Sequence, residues 1–282
     1  MKGVIVAAGY GTRFLPVTKT IPKEMLPLYD KPLIDFILDE FEEAGIKDVI
    51  VITSRRKKVL EDYFDREVEL EDYFTKNSKT KLIDLIKPRN LNFYFVRQKE
   101  MKGTGDALLS VKSLISEDAF LVAYPDDIVI SKPSLSKKMI ELFRKTNKTI
   151  LAVREEKENI SRYGVIKPEL KDGFMFVKEI VEKPSSEKAP SNLVSFGRYI
   201  FSKSLFELLE EQLKNHKEGE FYHIGAINKL AEKGEVLGCE IDGMVLDTGE
   251  LNSYTYSLLA YLFSHSEGKE VLKKFLKNFS AF

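Results

Sequence analysis

Short apolar runs that stop at turn residues and alternate with stretches of helical spacing constrain this chain most. Gly3 to Ala8 is an uninterrupted apolar run ending at glycine, the pattern of a strand buried on both faces. Leu33, Ile34, Ile37, Leu38, Phe41 and Ala44 then recur at helical spacing, with Gly45 as the stop. Residues 48–53 predict a second strand, 56–64 a short helix, 92–96 a strand and 105–115 a helix. Ala119 to Tyr124 reads as a strand that halts at Pro125-Asp126-Asp127. A helix around Leu135 to Phe143 and a strand from Thr149 to Val153 complete the run. Strands separated by helices call for crossover connections. The predicted class is α/β, with a doubly wound, mostly parallel, Rossmann-like sheet.

At 282 residues the chain is long enough to bury one large core. The formal net charge is zero, so the chain lacks the basic field that nucleic-acid binding uses. A lone cysteine, Cys239, excludes an internal disulfide framework and fits a reducing, cytoplasmic setting. No apolar run approaches the length of a membrane span, and the first strand is too short for an export signal.

Two segments break the rhythm. Residues 65–90 are highly charged and predict an inserted helical arm, suited to local packing, to subunit contact or to a lid. The stretch Gly268 to Phe279 sets Val271, Leu272, Phe275, Leu276 and Phe279 on one helical face opposite lysines. That face is expected to pack on the body or on a neighbouring subunit rather than on a membrane, which makes a homo-oligomer, dimer or tetramer, an expectation.

Chemistry concentrates where strands end. The first strand runs into Ala7-Ala8-Gly9-Tyr10-Gly11-Thr12-Arg13. Glycines there let backbone N–H groups approach a phosphate, although a glycine pair also makes a simple tight turn. No Gly-Lys-Ser/Thr follows, so the loop is not a P-loop, and Phe14 and Thr53 replace what a dinucleotide fingerprint requires. Arg13, Lys19 and Lys23 bring cations to the loop while Pro16, Pro22 and Pro27 stiffen it. Cations on a rigid loop suit a polyphosphate. Asp126 and Asp127 terminate a strand, and Asp247 in Leu246-Asp247-Thr248-Gly249 ends another strand-like run. Carboxylates at such an edge can hold Mg²⁺ on phosphate oxygens, or simply cap a turn. Gln98, between Val96-Arg97 and Lys102-Gly103-Thr104-Gly105, carries a donor and an acceptor on one amide, the requirement for reading a base edge. The three histidines have no metal-ligand spacing.

Ala8-Gly9-Tyr10-Gly11-Thr12-Arg13-Phe14-Leu15-Pro16, followed by Pro22-Lys23-Glu24-Met25-Leu26-Pro27, resembles the signature of the sugar-1-phosphate nucleotidylyltransferases, and the second motif is similar to their bacterial uridylyltransferase branch. The order Tyr163-Gly164-Val165, Val181-Glu182-Lys183-Pro184 and Gly197-Arg198-Tyr199 continues the resemblance over nearly the whole chain. It implies an enzyme joining UTP to glucose 1-phosphate with Mg²⁺ and releasing pyrophosphate. Ala7, Ala8, Gly9, Gly11, Thr12, Gln98, Gly103 and Asp126 are then the nucleotide-binding residues, with Gln98 reading uracil and Gly103 against the base. Arg13, Lys23 and Lys183 carry the catalytic charges, and Asp126 and Asp247 hold the metal. Gly164, Glu182 and Lys183 hold the sugar. The implied organisation is one nucleotidyltransferase domain: a nucleotide-binding half, 1–155, a sugar-phosphate half, 156–250, and C-terminal helices, 251–282.

The chain departs from the family pattern in three places. Gly103-Thr104-Gly105-Asp106-Ala107 stands where Gly-Leu-Gly-His-Ala is usual, and Tyr222-His223-Ile224-Gly225-Ala226 replaces Gln-Leu-Thr-Asp-Ala. Phe196 replaces a smaller aliphatic residue. Use of dTTP or another nucleotide by a sister enzyme stays open, as does a sugar-nucleotide sensor. A glycosyltransferase fits less well, because Asp126-Asp127-Ile128 is not Asp-x-Asp.

Overall fold

Chain order lays down β1 (Lys2–Val6), β2 (Pro27–Leu28), β3 (Lys31–Pro32), α1 (Leu33–Glu43) and β4 (Asp48–Thr53). Then come α2 (Lys58–Phe64), α3 (Val68–Lys76), α4 (Thr80–Ile86), β5 (Asn92–Arg97), α5 (Thr104–Leu109), β6 (Ala119–Ala123) and β7 (Asp127–Ile130). The second half adds α6 (Leu135–Thr146), β8 (Thr149–Glu155), β9 (Gly164–Lys171), β10 (Phe174–Glu182), β11 (Leu193–Ser202) and α7 (Leu205–Asn215). It ends with α8 (Ile224–Glu232), β12 (Val236–Glu240), β13 (Met244–Asp247), α9 (Leu251–Ser264) and α10 (Ser266–Phe279). This computed structural model describes residues 1–279; the Phe279 side chain and residues 280–282, the end of the expected C-terminal segment, lie outside the described residues.

Nine strands form one sheet in the order β5-β4-β1-β6-β11-β8-β12-β10-β9. The neighbours β5, β4, β1 and β6 are parallel, as alternation of strand and helix demands. β11 and β10 run against the others, so the sheet is mixed, and the expected mostly parallel Rossmann-like sheet holds only in the first half. Connection length is the reason. β9 and β10 are joined by Asp172-Gly173 alone, at φ 52° and 77°. That is hairpin-turn geometry, which closes only antiparallel strands.

Side-chain alternation splits the core across the sheet. Val4, Ile50 and Ile52 face a cluster that includes Leu108 of α5, Phe206 of α7 and Ile227 of α8. Ile5, Val49 and Val51 face Ile37 and Phe41 of α1 and Met139 of α6. Helices therefore cover both faces, the three-layer arrangement a buried sheet requires. Fully burying an aromatic such as Phe41 is worth roughly 1.5–3 kcal/mol. Gly3 is glycine because a Cβ there would meet the Phe41 ring.

The inserted arm, α3 and α4, contains no buried residue, and Leu85 is 80% exposed. α3 and α4 pack on each other, and Asp84, Leu85 and Ile86 line a cavity shared with Met25, Asp35 and Tyr63 of the body. The apolar face of α10 is only partly covered: the helix lies against α9 with Leu272 half-buried, while Val271 and Leu276 are exposed.

Candidate active site

β4 and β5 lie to one side of β1 and β6 to the other, so connections diverge beyond the carboxyl ends of β1 and β6. Open α/β sheets bind ligands at such a switch point. A cleft of about 330 Å³ opens there, lined by Ala8, Gly9, Gly11, Thr12, Lys23, Gln98, Gly103 and Asp126 among others, none of them from the arm. The loop after β1 folds into three 3₁₀ turns, Thr12–Phe14, Val17–Lys19 and Lys23–Met25. Gly11 sits at φ 65° with its carbonyl accepting from Thr18 Oγ1 at 2.7 Å, a conformation that favours glycine. Ala7 is not brought to the cleft. Its N–H donates to Ile52 O at 2.8 Å and its carbonyl accepts from Lys57 Nζ at 2.5 Å, so both backbone groups are taken.

Beneath the loop, Lys57 Nζ binds both carboxylate oxygens of Glu24 at 2.7 and 2.8 Å. Both side chains are buried, and burial drives the Lys57 pKa below its ordinary value against the pull of Glu24. The pair ties the exit of β4 to the proline-stiffened segment.

In the cleft, Lys23 Nζ donates to Asp126 Oδ2 at 2.7 Å. Burial alone would lower the Lys23 pKa, but the charges of Asp126 and Glu24 outweigh it and hold it above the ordinary value. Burial likewise opposes ionisation of Asp126, yet Lys23 keeps that carboxyl below the usual range. Asp127 goes the other way, raised well above it by burial and by the charges of Asp126 and Asp247. Its carboxyl packs against Gly197, where any Cβ would collide with it.

Pairing of β7 with β13 sets Asp247 opposite Asp127. Thr248 then binds the Asp126 carbonyl through its N–H at 2.8 Å and its hydroxyl at 2.9 Å. The convergence is visible at Gly249: a Cβ added there would lie 3.1 Å from Asp247 Oδ1, 3.6 Å from Asp126 Oδ2 and 3.7 Å from Arg13 Nη1. Arg13 Nη1 also donates to Gly249 O at 3.3 Å. Among the described residues no three His, Cys, Asp or Glu side chains converge as a ready metal cage. Asp126 and Asp247 set two carboxylates on one space, oxygen donors of the kind a hard divalent cation takes.

Along the cleft wall, Gln98 is buried, and its Nε2 donates to Asp106 Oδ2 at 2.8 Å and Gly103 O at 3.2 Å. Gly103 has a reason to be glycine besides room for a ring. At φ 107° its Cβ would stand 2.5 Å from the Phe221 carbonyl.

Gly164, Glu182 and Lys183, expected to hold the sugar, lie outside that cleft's lining but meet one another. Glu182 Oε2 is 3.2 Å from where a Cβ on Gly164 would be, and Lys183 Nζ is 3.6 Å from Glu182 Oε1. Burial raises the Glu182 pKa against the opposing charge of Lys183. Lys183 sits at φ 46°, uncommon for a non-glycine residue, with its N–H on Tyr163 O at 3.0 Å. Tyr163 joins the two ends, because its hydroxyl donates to Asp247 Oδ2 at 2.8 Å.

Sequence reasoning missed the supports. Arg162 Nη2 reaches Asp247 Oδ2 at 3.1 Å. Arg198, fully buried, pairs with Glu40 and donates to Tyr124 O at 3.2 Å, fixing the strand end before Asp126. Arg198 and Glu24 stood inside quoted motifs; Glu40 and Lys57 gave no periodic signal.

A glycine-bearing loop with cations and paired carboxylates at the switch point of a mixed sheet fit a nucleotidyl transferase. The profile of that family matches residues 2–262, and the chain belongs to it. A UTP–glucose-1-phosphate uridylyltransferase from Staphylococcus epidermidis is 38% identical over 98% of this chain and 97% of its own length. Among solved structures, a UDP-glucose pyrophosphorylase complexed with UDP-glucose is 40% identical, with TM-score 0.82 over 94% of this chain and 99% of that one. A UTP-bound UGPase from Acinetobacter baumannii reaches TM-score 0.88 at 31% identity, over 99% of each chain. No helix among the described residues is long and apolar enough to cross a membrane.

Proposed function

We propose that the chain transfers a uridylyl group from UTP to glucose 1-phosphate, giving UDP-glucose and pyrophosphate. The observation that carries this reading is the convergence of Arg13, Lys23, Asp126 and Asp247 beside a cleft walled by Gln98 and Gly103. The named activities of the relatives supply the two substrates.

A phosphate oxygen of glucose 1-phosphate attacks the α-phosphorus of UTP in line. The bond from that phosphorus to the bridging oxygen breaks, and pyrophosphate leaves with the electron pair. The sugar phosphate is already an ionised nucleophile, so the chemistry asks for no general base. It asks for alignment and for screening of two polyanions. Backbone around Gly9, Gly11 and Thr12 receives the phosphates. Arg13 holds the departing pyrophosphate, and Lys23 bridges the two anions. Gln98 and Gly103 hold the uracil, Glu182 and Gly164 the sugar, and Lys183 positions the sugar phosphate. Asp126 and Asp247 would hold Mg²⁺, which would supply positive charge to offset that of the reacting phosphates.

The organisation that goes with this reading is one domain of two halves, 1–155 and 156–250, followed by C-terminal helices, in a cytoplasmic homo-oligomer. The exposed Tyr256, Phe263, Val271 and Leu276 of α9 and α10 support the last point. Light scattering tests it.

The activity is tested by pyrophosphate release with Mg²⁺ and glucose 1-phosphate, comparing UTP, dTTP, CTP, ATP and GTP. Strong preference for UTP is expected. Release from none of the five overturns the reading, and preference for another keeps the chemistry while moving the base assignment.

A further inference from the structure

Asp106 occupies the third position of α5, in a motif where the family pattern carries histidine. Helical backbone fixes where it stands. Its carboxylate and the Gly103 carbonyl both face the Gln98 amide, at 2.8 and 3.2 Å. Both are acceptors, so only the amide nitrogen can point at them. Turning the amide over would set Oε1 against two oxygens and leave the N–H groups without these partners. The two N–H donors are thereby used, and Oε1 is what Gln98 has left for the cleft it lines.

We propose that Asp106 is a positioning residue for nucleotide choice: it locks Gln98 as an acceptor-only reader and so selects pyrimidines that carry a ring N3–H. Uracil and thymine have that donor. Cytosine does not, since its N3 is itself an acceptor and would face Oε1 lone pair to lone pair. A free glutamine amide flips and serves either edge; one held by Asp106 does not. The inference deepens the proposed function and rests on its placing the base at Gln98.

Equilibrium titration of the full chain with UTP and with CTP, using Ca²⁺ in place of Mg²⁺ to slow turnover, tests it without relying on catalysis. The wild type is expected to bind UTP at least tenfold more tightly than CTP. Asp106→Leu removes the acceptor and is expected to cut that preference about tenfold, the value of one oriented hydrogen bond. Asp106→Asn keeps an acceptor and is expected to stay within about threefold of wild type. In a Gln98→Leu background, Asp106→Leu is expected to change the preference no further. Several results overturn the proposal: no UTP preference in the wild type, equal weakening of both nucleotides in Asp106→Leu, or the same shift with Gln98 absent. Thermal unfolding of each variant separates loss of fold from loss of selection. A protein that shows the expected binding pattern yet releases no pyrophosphate would keep this inference and sink the proposed activity.

Discussion

The two ends of the site hold their charges differently. At the proposed nucleotide end, Lys23 and Asp126 are paired at 2.7 Å with side chains 16% and 28% exposed, above the buried Lys57–Glu24 pair. At the sugar end, Lys183 is 50% exposed and its contact with Glu182 is 3.6 Å. One end holds its charges in close, largely buried pairs, and the other leaves its ammonium half in solvent. The difference separates mutations that strike the fold from those that strike catalysis and those that strike binding.

The sharpest test of preorganisation is Lys57→Met. It leaves Glu24 buried without its cation, and breaking a buried pair costs about 3–5 kcal/mol. A fall in the thermal midpoint is expected, largely restored by adding Glu24→Leu, because removing both charges ends the uncompensated burial. A midpoint unmoved by the single change would mean that the loop is not held from below.

Lys23→Ala and Asp126→Ala are expected to cost on the order of 10²–10³ in turnover with the fold retained, since each removes a charge aimed at the reacting phosphates. Pyrophosphate release and circular dichroism check the two halves of that statement. Near-normal turnover in either folded variant removes both residues from the mechanism.

The same contrast explains what was legible in the sequence. Asp126 and Asp247 announced themselves because they stand at strand ends, and Arg13 and Lys23 because they sit among the glycines and prolines of the loop after β1. The parallel half of the sheet was readable because helices must cross over between parallel strands. The antiparallel β9–β10 hairpin was not drawn, although Asp172-Gly173 is a two-residue turn signal between strand-like runs. Ala7 was expected on the nucleotide, but its N–H goes to Ile52 and its carbonyl to Lys57. Tertiary partners such as Lys57 with Glu24 and Arg198 with Glu40 are set by where strands end in space, which residue spacing does not encode.

His223 lies between the ends, fully enclosed, with Nδ1 2.7 Å from Thr104 Oγ1 and its ring among Tyr124, Tyr199 and Phe201. Burial lowers its pKa from 6.5 to about 4. The unfolded chain takes up this proton below pH 6.5 while the fold refuses it, so stability falls as pH drops from 6.5 towards 4. At about 1.4 kcal/mol per pKa unit the loss reaches about 3 kcal/mol. His223→Leu is expected to flatten this slope while costing a roughly constant 1 kcal/mol for the lost Thr104 bond. Thermal unfolding at pH 7 and pH 4.5 compares the two; parallel slopes would put the acid sensitivity elsewhere.

The smallest effect is expected at Lys183. Its exposure leaves the ammonium hydrated, so Lys183→Ala should not move the thermal midpoint. Its work begins when a phosphate dianion arrives, and one charged contact with a solvated partner is worth about tenfold in affinity. The expected result is a KM for glucose 1-phosphate raised about tenfold, with the KM for UTP unchanged and kcat little altered. A hundredfold fall in kcat instead would show that the left-handed Lys183 backbone aims the ammonium at the reacting phosphorus. The sugar end would then be as preorganised as the nucleotide end, and the contrast between them would reduce to exposure alone.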